Sequence, residues 1–425
     1  MLTKNAVTPK VNLRHLHAFL AVTENGSINR ASDKLYRATS AITRSIIELE
    51  QTLGVRLFER KARGMLPSAS GKVVLIRALR IEKELREAFM EATAVKSGSI
   101  GLSNQSAMWC FYNTGRLLAF TMLTDMRHMP SVAQALGRTQ PAISGAIREL
   151  ETSLKQTLFQ RNAKGMVTTE VGTLLAIRIK RVLSELRHIE EDLAALSGVM
   201  LGHIAIGALP LCRTLILPDA MAATLAAYPK LQMSTSENSY SDLCVGLRSG
   251  EIDFIIGAIR ESDDSPDLDS EILFYDSISL IARKAHPLAG VPNLGFDEIR
   301  VCQWVLSRRG TPSRELLDFV FASAEQAKPV PAVETGDLAI LRGLLFKSDM
   351  VTAISAYQLH YEIEAGNLVV LDFPFEITRR AIGITIRRDA YLSPATNILI
   401  KQLRAVCSKD NFDQYGVSPA DVLSR

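Results

Sequence analysis

One long segment of this chain occurs twice, and that repeat constrains the fold more than any other feature. Residues 16–87 align with residues 117–188 at a constant offset of 101 positions, and 26 of the 72 aligned positions are identical. Such a unit is too long for a solenoid period and too varied for a low-complexity tract. The sequence therefore predicts a duplicated folding unit in the first half of the chain.

Composition sets the outer limits on the architecture. The 425 residues allow about two to four domains, and 47% of them are hydrophobic, enough for several packed cores. No stretch approaches the roughly 18 consecutive apolar residues of a membrane span, and the N-terminus lacks a secretory pattern. The five cysteines form no CxxC pair, so neither a disulfide framework nor a zinc site is expected. We expect a cytoplasmic protein with no metal and no cofactor.

Charge is distributed unequally between the two halves. Residues 1–200 contain 28 Lys and Arg against 17 Asp and Glu, a formal charge of +11. Residues 201–425 contain 21 against 28, a formal charge of −7. The basic half indicates a polyanionic partner, although charge alone is weak evidence for one.

Apolar spacing in the first copy predicts three short helices and a hairpin. A helix over residues 15–22 precedes a second over 27–35, whose Ser27 suits an N-cap, and a third over about 39–53. Strand-like residues 55–60 then lead into a basic turn. This order is typical of a winged helix-turn-helix, in which the third helix enters the major groove and the wing approaches phosphate.

Outward positions of the third helix and of the hairpin are the candidates for contact with double-stranded DNA. Hydroxyl and amide side chains can bind bases, whereas cations suit phosphates. The candidates in the first copy are Arg37, Thr39, Ser40, Thr43, Arg44, Arg60, Lys61 and Arg63. Those in the second copy are Arg138, Gln140, Pro141, Ser144, Arg148, Arg161 and Lys164. The alternative for each of them is a solvated helix face.

Short runs of residues in both copies resemble the DNA-binding domain of LysR-type transcriptional regulators. They are residues 27–32, 41–46, 48–50 and 53–60 in the first copy and residues 139–144, 158–161 and 169–172 in the second. Each copy also departs from the family pattern. Thr39 and Ser40 stand where the family usually has Gln-Pro, Lys155 stands where it usually has Gly, and the second copy lacks an equivalent of Ser27. These departures predict different base preferences in the two copies.

A long helix with a coiled-coil pattern follows each hairpin, because apolar residues recur at alternating intervals of four and three. The seam residues are Val74, Ala78, Ile81, Leu85, Ala88, Ala92 and Val95 in the first copy and Leu175, Ile179, Val182, Leu186, Ile189, Leu193 and Leu196 in the second. The resemblance implies that these linker helices dimerise DNA-binding domains. They could pair within one chain, or each could pair with a second chain, and the connector is long enough for either arrangement.

From residue 201 onward, strand-like and helical segments alternate in two successive sets. Repeated βα units imply a mostly parallel sheet with helices on both faces, and two sets imply two lobes. We expect a single edge strand over residues 273–283 and a helix over residues 357–364. Residues 201–204, 217–218, 250–253 and 286–288 resemble the LysR effector-binding domain, which is itself similar to periplasmic binding proteins.

The predicted fold is multidomain α/β, with two winged helix-turn-helix domains, long linker helices and a two-lobed Rossmann-like, periplasmic-binding-protein-like effector domain. The expected boundaries are a first winged helix-turn-helix at 11–71, its linker helix at 72–96, a connector at 97–115, a second winged helix-turn-helix at 116–172, its linker helix at 173–197 and the effector domain at 201–410. Lobe I is expected at about 201–290 plus the return strand, and lobe II at about 291–380.

Ligands in such sheets lie beyond the carboxyl ends of the strands. Two cations and several hydroxyls precede a predicted helix N-terminus there, which suits a carboxylate, so we hypothesise an anionic effector such as an aromatic or sugar acid. The candidate residues are Leu209, Leu211, Ser236, Asn238, Ser307, Arg308, Arg309, Thr311, Ser313, Thr352 and Ser355. Solvated surface arginines are the alternative for the two cations.

The chain contains none of the GxGxxG, GxxxxGK[ST], HExxH or GxSxG motifs, so we do not expect an enzyme. We expect a sequence-specific transcriptional regulator that is controlled by a small molecule and forms homo-oligomers through its linker helices or effector domains. RNA polymerase is a further expected partner. Two alternatives stay open: an assembly protein in which only one copy reads DNA, and a small-molecule-binding protein without a DNA function.

Overall fold

The computed structural model describes residues 10–61, 64–94, 105–163, 165–260, 265–375 and 378–409. Its contacts divide the chain into an N-terminal unit, which extends to Gly202 and contains both copies of the repeat, and a C-terminal unit that begins at His203. In the part of the chain that is described, no helix combines the length and the hydropathy needed to cross a membrane.

Helices and hairpins follow the same order in the two copies. The first copy contains α1 (Leu13–Asn25), α2 (Ile28–Leu35), α3 (Thr39–Leu53), β1 (Phe58–Lys61), β2 (Gly64–Pro67) and α4 (Ala69–Ala94). A short α5 (Gln105–Met108) and a 3-10 turn (Trp109–Phe111) follow. The second copy contains α6 (Thr114–Met126), α7 (Met129–Ala135), α8 (Gln140–Leu154), β3 (Phe159–Asn162), β4 (Gly165–Thr168) and α9 (Glu170–Leu196). Part of the predicted connector, residues 95–104, lies outside the described residues.

The predicted second and third helices of the first copy are confirmed, whereas two other bounds differ. The first helix is longer than expected because the Asn12 side chain caps its start and Gly26, at φ 68°, ends it. The first strand begins at Phe58 rather than at residue 55. Its start is delayed because the Leu57 amide donates to the Glu50 carboxylate at 2.7 Å instead of to a neighbouring strand.

One apolar core runs through both copies and both linker helices. In the first copy Phe19 packs against Phe58 with ring centroids 5.2 Å apart, and in the second Phe120 packs against Phe159 at 5.5 Å. Both pairs join the first helix of a copy to its hairpin. The two copies therefore have the same internal packing and share a common core.

The linker helices α4 and α9 pair with each other within the chain. The buried Arg77 of α4 bonds Asp192 near the end of α9, whereas Arg178 near the start of α9 bonds Glu91 near the end of α4, so the helices run antiparallel. The predicted seam residues are buried, except that Leu196 is half exposed and Val95 lies outside the described residues. Of the two arrangements left open by the sequence, the structure adopts the one within a single chain.

The C-terminal unit is built on two five-stranded mixed sheets. Its elements are β5 (Gly202–Ala208), α10 (Ile216–Ala227), β6 (Leu231–Ser236), α11 (Tyr240–Ser249), β7 (Phe254–Ala258), β8 (Leu268–Asp276), β9 (Ser279–Arg283), α12 (Phe296–Arg300), β10 (Gln303–Leu306), α13 (Pro312–Ser323), β11 (Pro331–Glu334), α14 (Leu338–Lys347), β12 (Met350–Ile354), α15 (His360–Glu364), β13 (Leu368–Val370), β14 (Arg380–Arg387) and α16 (Pro394–Lys409). The strand orders are β6-β5-β7-β14-β8 in the first sheet and β11-β10-β12-β9-β13 in the second.

Three expectations for this unit were wrong. The single strand over 273–283 is two strands, β8 and β9, which belong to different sheets. The ladder breaks between them because the Ile278 amide donates to the Thr378 hydroxyl. Lobe I therefore ends near residue 277 rather than 290, and β14 is its return strand. The sheets are mixed rather than mostly parallel, because β14 and β9 run antiparallel to their neighbours. The helix over 357–364 divides into a 3-10 turn and the short α15.

Candidate nucleic-acid interface and effector site

In the first copy, hydrogen bonds fix the turn between α2 and α3. Ser27 caps α2 by accepting from the Arg30 amide at 3.2 Å. At the other end, the Ser32 hydroxyl donates to the Arg37 carbonyl at 2.5 Å, and the Thr39 hydroxyl lies 3.2 Å from that of Ser32. These bonds set the direction in which α3 leaves the turn.

The same turn in the second copy has different end residues. His128 occupies the position of Ser27 and makes no capping bond, since its Nδ1 contacts the Ser131 hydroxyl at 2.7 Å instead. The left-handed residue of the turn is Gly137 at φ 60°, where the first copy has Tyr36 at φ 51°. Glycine adopts this conformation without the strain that a side chain brings.

Most of the predicted DNA-binding residues of the third helices lie on an exposed face. We call this the recognition face; it comprises residues 39, 40, 43, 44 and 47 of α3 and residues 140, 141, 144, 145 and 148 of α8. Thr43 and Ser144 are half-buried within it, and the other residues are exposed. Arg37 is half-buried and Arg138 is exposed, each immediately before its helix. Ile47, 47% exposed, was missed because an isoleucine among helical apolar residues reads as core.

Intramolecular contacts engage the recognition face of the first copy. The Thr43 hydroxyl donates to the Thr39 carbonyl at 2.9 Å, and Arg44 Nε donates to Glu48 at 2.6 Å. The hydrogen bond to Glu48 raises the pKa of Arg44, while Glu48 also lies 3.2 Å from His15. Because the Arg44 side chain is 82% exposed, this pair contributes little stability and can exchange for a phosphate.

In the second copy the recognition face has fewer such contacts. Glu149, the equivalent of Glu48, pairs with the buried Arg116 rather than with a residue of the face. Within the described part of the chain, the side chains of Gln140 and Arg148 form no hydrogen bond, and both residues are exposed. An amide and a guanidinium in this state suit hydrogen bonding to base edges and phosphates.

The hairpins keep the same shape through glycine. Gly64 has φ 110° and Gly165 has φ 103°, and a Cβ on either would approach the carbonyl oxygen of residue 26 or 127 to 2.5 Å. Arg60 and Lys61 belong to β1, and Arg161 is exposed on β3. Two further predicted DNA-binding cations, Arg63 and Lys164, lie outside the described residues.

A buried polar cluster joins the two sheets of the C-terminal unit where the chain crosses between them. We call Asp276, Ser313, Ser355 and Arg380 the hinge cluster. Arg380 donates to Asp276 at 2.8 Å and to the Ser313 hydroxyl at 2.9 Å, and the Ser355 hydroxyl donates to Asp276 at 2.6 Å. Burial raises the pKa of Asp276, an effect that Arg380 and Ser355 only partly offset.

The hinge cluster contains two of the predicted effector residues, Ser313 and Ser355, and two that were missed. Asp276 and Arg380 face each other across β8 and β14. Their signal in the sequence was a charged residue at the end of one strand and another at the start of a later one. Strand pairing between distant segments is needed to bring them together.

The other predicted effector residues do not join the hinge cluster. Leu209 and the buried Leu211 lie at the turn after β5, Ser236 ends β6, and the exposed Asn238 follows it. Ser307 is half-buried, Arg308 and Arg309 are exposed, and the Thr311 hydroxyl donates to the Arg308 carbonyl at 2.7 Å. Thr352 is fully buried, and its hydroxyl has no partner among the described residues. The cation that bonds Ser313 is therefore Arg380 rather than Arg308 or Arg309.

Comparison with known proteins identifies the family. A model of the bacterial regulatory helix-turn-helix protein, lysR family, matches residues 13–72 and again residues 115–173, and a model of the LysR substrate binding domain matches residues 197–408. The HTH-type transcriptional regulator GalR of Pseudomonas putida is 40% identical over 398 residues, which cover 94% of this chain and 98% of that protein. The chain belongs to the LysR family of transcriptional regulators. It is a LysR-type regulator with an effector-binding domain.

Other members of the LysR family match over a shorter part of the chain. The regulator YdcI of Escherichia coli is 27% identical over 68% of this chain and 94% of its own length. A full-length OxyR variant from Pseudomonas aeruginosa superposes with a TM-score of 0.53 at 19% identity, covering 68% of this chain and 93% of that one. Full-length CbnR, solved with its target DNA, gives a TM-score of 0.51 at 16% identity, covering 69% and 99%. These two likenesses show the fold.

Proposed function

We propose that the two copies are tandem winged helix-turn-helix domains, that both bind double-stranded DNA, and that a small carboxylate in the C-terminal unit controls them. The exposed recognition face on the third helix of each copy is the observation that carries this proposal. Equivalent bonds hold the hairpin of each copy against the end of its first helix: the Met65 amide bonds the Gly26 carbonyl at 3.0 Å, and the Met166 amide bonds the Arg127 carbonyl at 2.9 Å.

The lengths of the relatives support a tandem arrangement. The Pseudomonas putida regulator aligns over nearly the whole of both chains, whereas YdcI aligns over most of its own length but only 68% of this one. The segment by which this chain exceeds YdcI is thus also present in the Pseudomonas regulator. Contact with RNA polymerase and the formation of homo-oligomers remain predictions from the family.

Footprinting with variants of the full chain tests the DNA function. Each variant changes the recognition face of one copy, and we call one copy with its recognition face a head. We expect Gln140→Ala and Arg44→Ala each to weaken protection of one half-site by about tenfold, the effect of losing one good base or phosphate contact. Lys83→Ala, which removes an exposed cation of α4, is the control and should leave the footprint unchanged. If Arg44→Ala has no effect while Gln140→Ala abolishes the footprint, only the second copy reads DNA, and the alternative of a single active head is right.

The effector proposal rests on Arg380 and Ser313. The Arg380 side chain is 10% exposed and donates to both Asp276 and Ser313, so an incoming carboxylate would replace Asp276 as its acceptor. A planar guanidinium binds a carboxylate through two parallel hydrogen bonds, and burial strengthens such bonds.

Calorimetric titration with a panel of benzoates and aldonates tests this site. We expect an acid that binds the wild type to bind Arg380→Gln at least tenfold more weakly and Ser313→Ala several-fold more weakly. Arg308→Ala, which removes an exposed cation nearby in sequence, should bind like the wild type. Undiminished binding to Arg380→Gln would refute the assignment, and lost binding to Arg308→Ala would restore the exposed arginines as the anchor.

A further inference from the structure

The interface between α4 and α9 obeys a two-fold relation. Arg77 of α4 bonds Glu185 of α9 at 2.6 Å. Arg178 is the equivalent of Arg77 after the 101-residue shift, and it bonds Glu84, the equivalent of Glu185, at 2.9 Å. The same correspondence relates two further pairs: Arg77–Asp192 matches Arg178–Glu91, and Arg80–Glu185 matches Arg181–Glu84. Contacts that repeat with the two partners exchanged define an isologous interface.

This isologous interface is complete within one chain. Arg77 is fully buried, and its two acidic partners are less than a tenth exposed. Removing one member of such a buried network leaves an uncompensated charge, so the network holds the two helices in one register. The two recognition faces are therefore attached to a scaffold that has the symmetry of a dimer but is a single polypeptide.

The recognition faces do not share that symmetry. Four positions differ in hydrogen-bonding capacity, charge or shape, and the fifth exchanges one hydroxyl for another. The pairs are Thr39 and Gln140, Ser40 and Pro141, Thr43 and Ser144, Arg44 and Gly145, and Ile47 and Arg148. Gln140 can bind adenine through two hydrogen bonds, which Thr39 cannot do, and the methyl groups of Ile47 suit the thymine methyl, whereas Arg148 suits guanine or phosphate.

We infer that one chain binds an operator made of two different half-sites, and that it does so in a single orientation. The inference rests on the proposed DNA function of both copies. A homodimer presents two identical recognition helices, so its operator is an inverted repeat. Here the linker helices pair with the symmetry of a dimer, but the two recognition faces carry different side chains. Reversing the chain on the operator puts both heads on the wrong half-sites and loses the specific contacts of both.

Selection of binding sites from a random DNA library with the full-length protein is the first test. We expect two conserved blocks at a fixed spacing, always in the same order, that are not inverted copies of each other. Operators that carry the first block twice or the second block twice should bind about tenfold more weakly for each lost bidentate contact. An operator with the two blocks exchanged should bind most weakly of all.

A variant with equal heads provides the second test. It carries Thr39→Gln, Ser40→Pro, Thr43→Ser, Arg44→Gly and Ile47→Arg, all on a face with little packing. We expect it to prefer the inverted repeat of the second block over the wild-type operator. Its matched control carries Lys72→Ala and Lys83→Ala on α4 and should keep the wild-type preference.

The outcomes separate the inference from the function on which it rests. Selection of an inverted repeat by the wild type would overturn the inference while leaving the DNA function intact. Recovery of one block alone would also overturn the inference, because one head would then bind no specific sequence. A library from which the wild type selects no sequence would overturn the proposed function together with the inference.

Discussion

The first and second copies repeat the ion pairs through which their linker helices contact each other, whereas their recognition faces differ. Arg77 and Arg178 are identical in the repeat, as are Glu84 and Glu185, and these four residues form two equivalent ion pairs between the linker helices. In contrast, none of the five aligned recognition-face positions is identical. A change in one of these arginines or glutamates alters a contact of both copies, whereas a change on a recognition face alters one copy only.

A polar cluster around Glu82 in the first copy also distinguishes the two copies. In the first copy His17 packs against Trp109 and Tyr112, and the Tyr112 hydroxyl donates to Glu82 at 2.7 Å. The equivalents of His17 and Glu82 in the second copy are leucines, Leu118 and Leu183. The segment between the copies thus docks on the first copy through a polar cluster that has no counterpart in the second.

The largest expected effect comes from disrupting the ion pairs between α4 and α9. Arg77→Ala should lower the free energy of unfolding of the N-terminal unit by about 3–5 kcal/mol, because Asp192 loses the buried cation that bonds it and Glu185 is left with the partly exposed Arg80. Arg178→Ala should cost less, about 1–3 kcal/mol, since Arg178 is 20% exposed and water can solvate its partners. Urea unfolding monitored by Trp109 fluorescence, in a Trp304→Phe background, reports on this unit alone.

Lys72→Ala is the control for this pair, because Lys72 is an exposed residue of the same helix and should change stability by less than about 0.5 kcal/mol. Equal, small losses from Arg77→Ala and Arg178→Ala would mean that the linker helices are not paired as described. The difference between the two arginine variants measures how far the interface departs from true symmetry.

A second prediction concerns the polar cluster of the first copy. Burial disfavours ionisation of Glu82, but hydrogen bonds from His17, Tyr112 and Arg86 outweigh it and lower its pKa from 4.5 to about 2. A carboxyl whose pKa is depressed by folding stabilises the native state above the unfolded pKa and loses this effect as the pH falls. We expect up to about 3 kcal/mol of stability to be lost between pH 4.5 and pH 2 through this group.

Urea midpoints of the same Trp109 signal across this pH range, for wild type and Glu82→Gln, measure the effect. The wild-type curve should fall more steeply with acid, and Glu82→Gln should flatten it. Glu190→Gln removes a carboxyl of α9 whose side chain is 42% exposed, and it should keep the wild-type slope. Parallel curves for wild type and Glu82→Gln would contradict the role of the cluster.

The sequence was sufficient for the N-terminal unit because its signals are local. Apolar spacing predicted α3 and the linker seams, and Ser27 predicted the start of α2. It left the pairing of the linker helices open, because a 4-3 pattern specifies a partner helix but not the chain that supplies it. The position of the arginines against the glutamates becomes clear only when the two helices are known to run antiparallel.

The C-terminal unit was predicted less well because its hinge cluster is assembled from distant strands. Asp276 and Arg380 are 104 residues apart and meet only because β8 and β14 pair. The error in the strand over 273–283 had the same origin, since a continuous apolar run cannot show that its two halves join different sheets. The rule that ligands lie beyond the carboxyl ends of strands selected Ser313 and Ser355 of the hinge cluster. It also selected exposed residues that do not belong to this cluster.

The smallest expected effect concerns the residues that end α3 and α8. Gly54 ends α3 at φ 70°, and Lys155 ends α8 at φ 53°, so the second copy has a side chain in a left-handed conformation. Nothing lies within 4 Å of a Cβ placed on Gly54, so the strain of a side chain there is confined to the backbone. Gly54→Lys should therefore cost about 1–2 kcal/mol, and Lys155→Gly should stabilise by up to about 1 kcal/mol, less because glycine also gains freedom in the unfolded chain. Lys155→Ala keeps the left-handed strain and is the control, with little change expected. If Lys155→Gly were to lower the urea midpoint of the Trp109 signal, side-chain contacts rather than backbone strain would govern this cap.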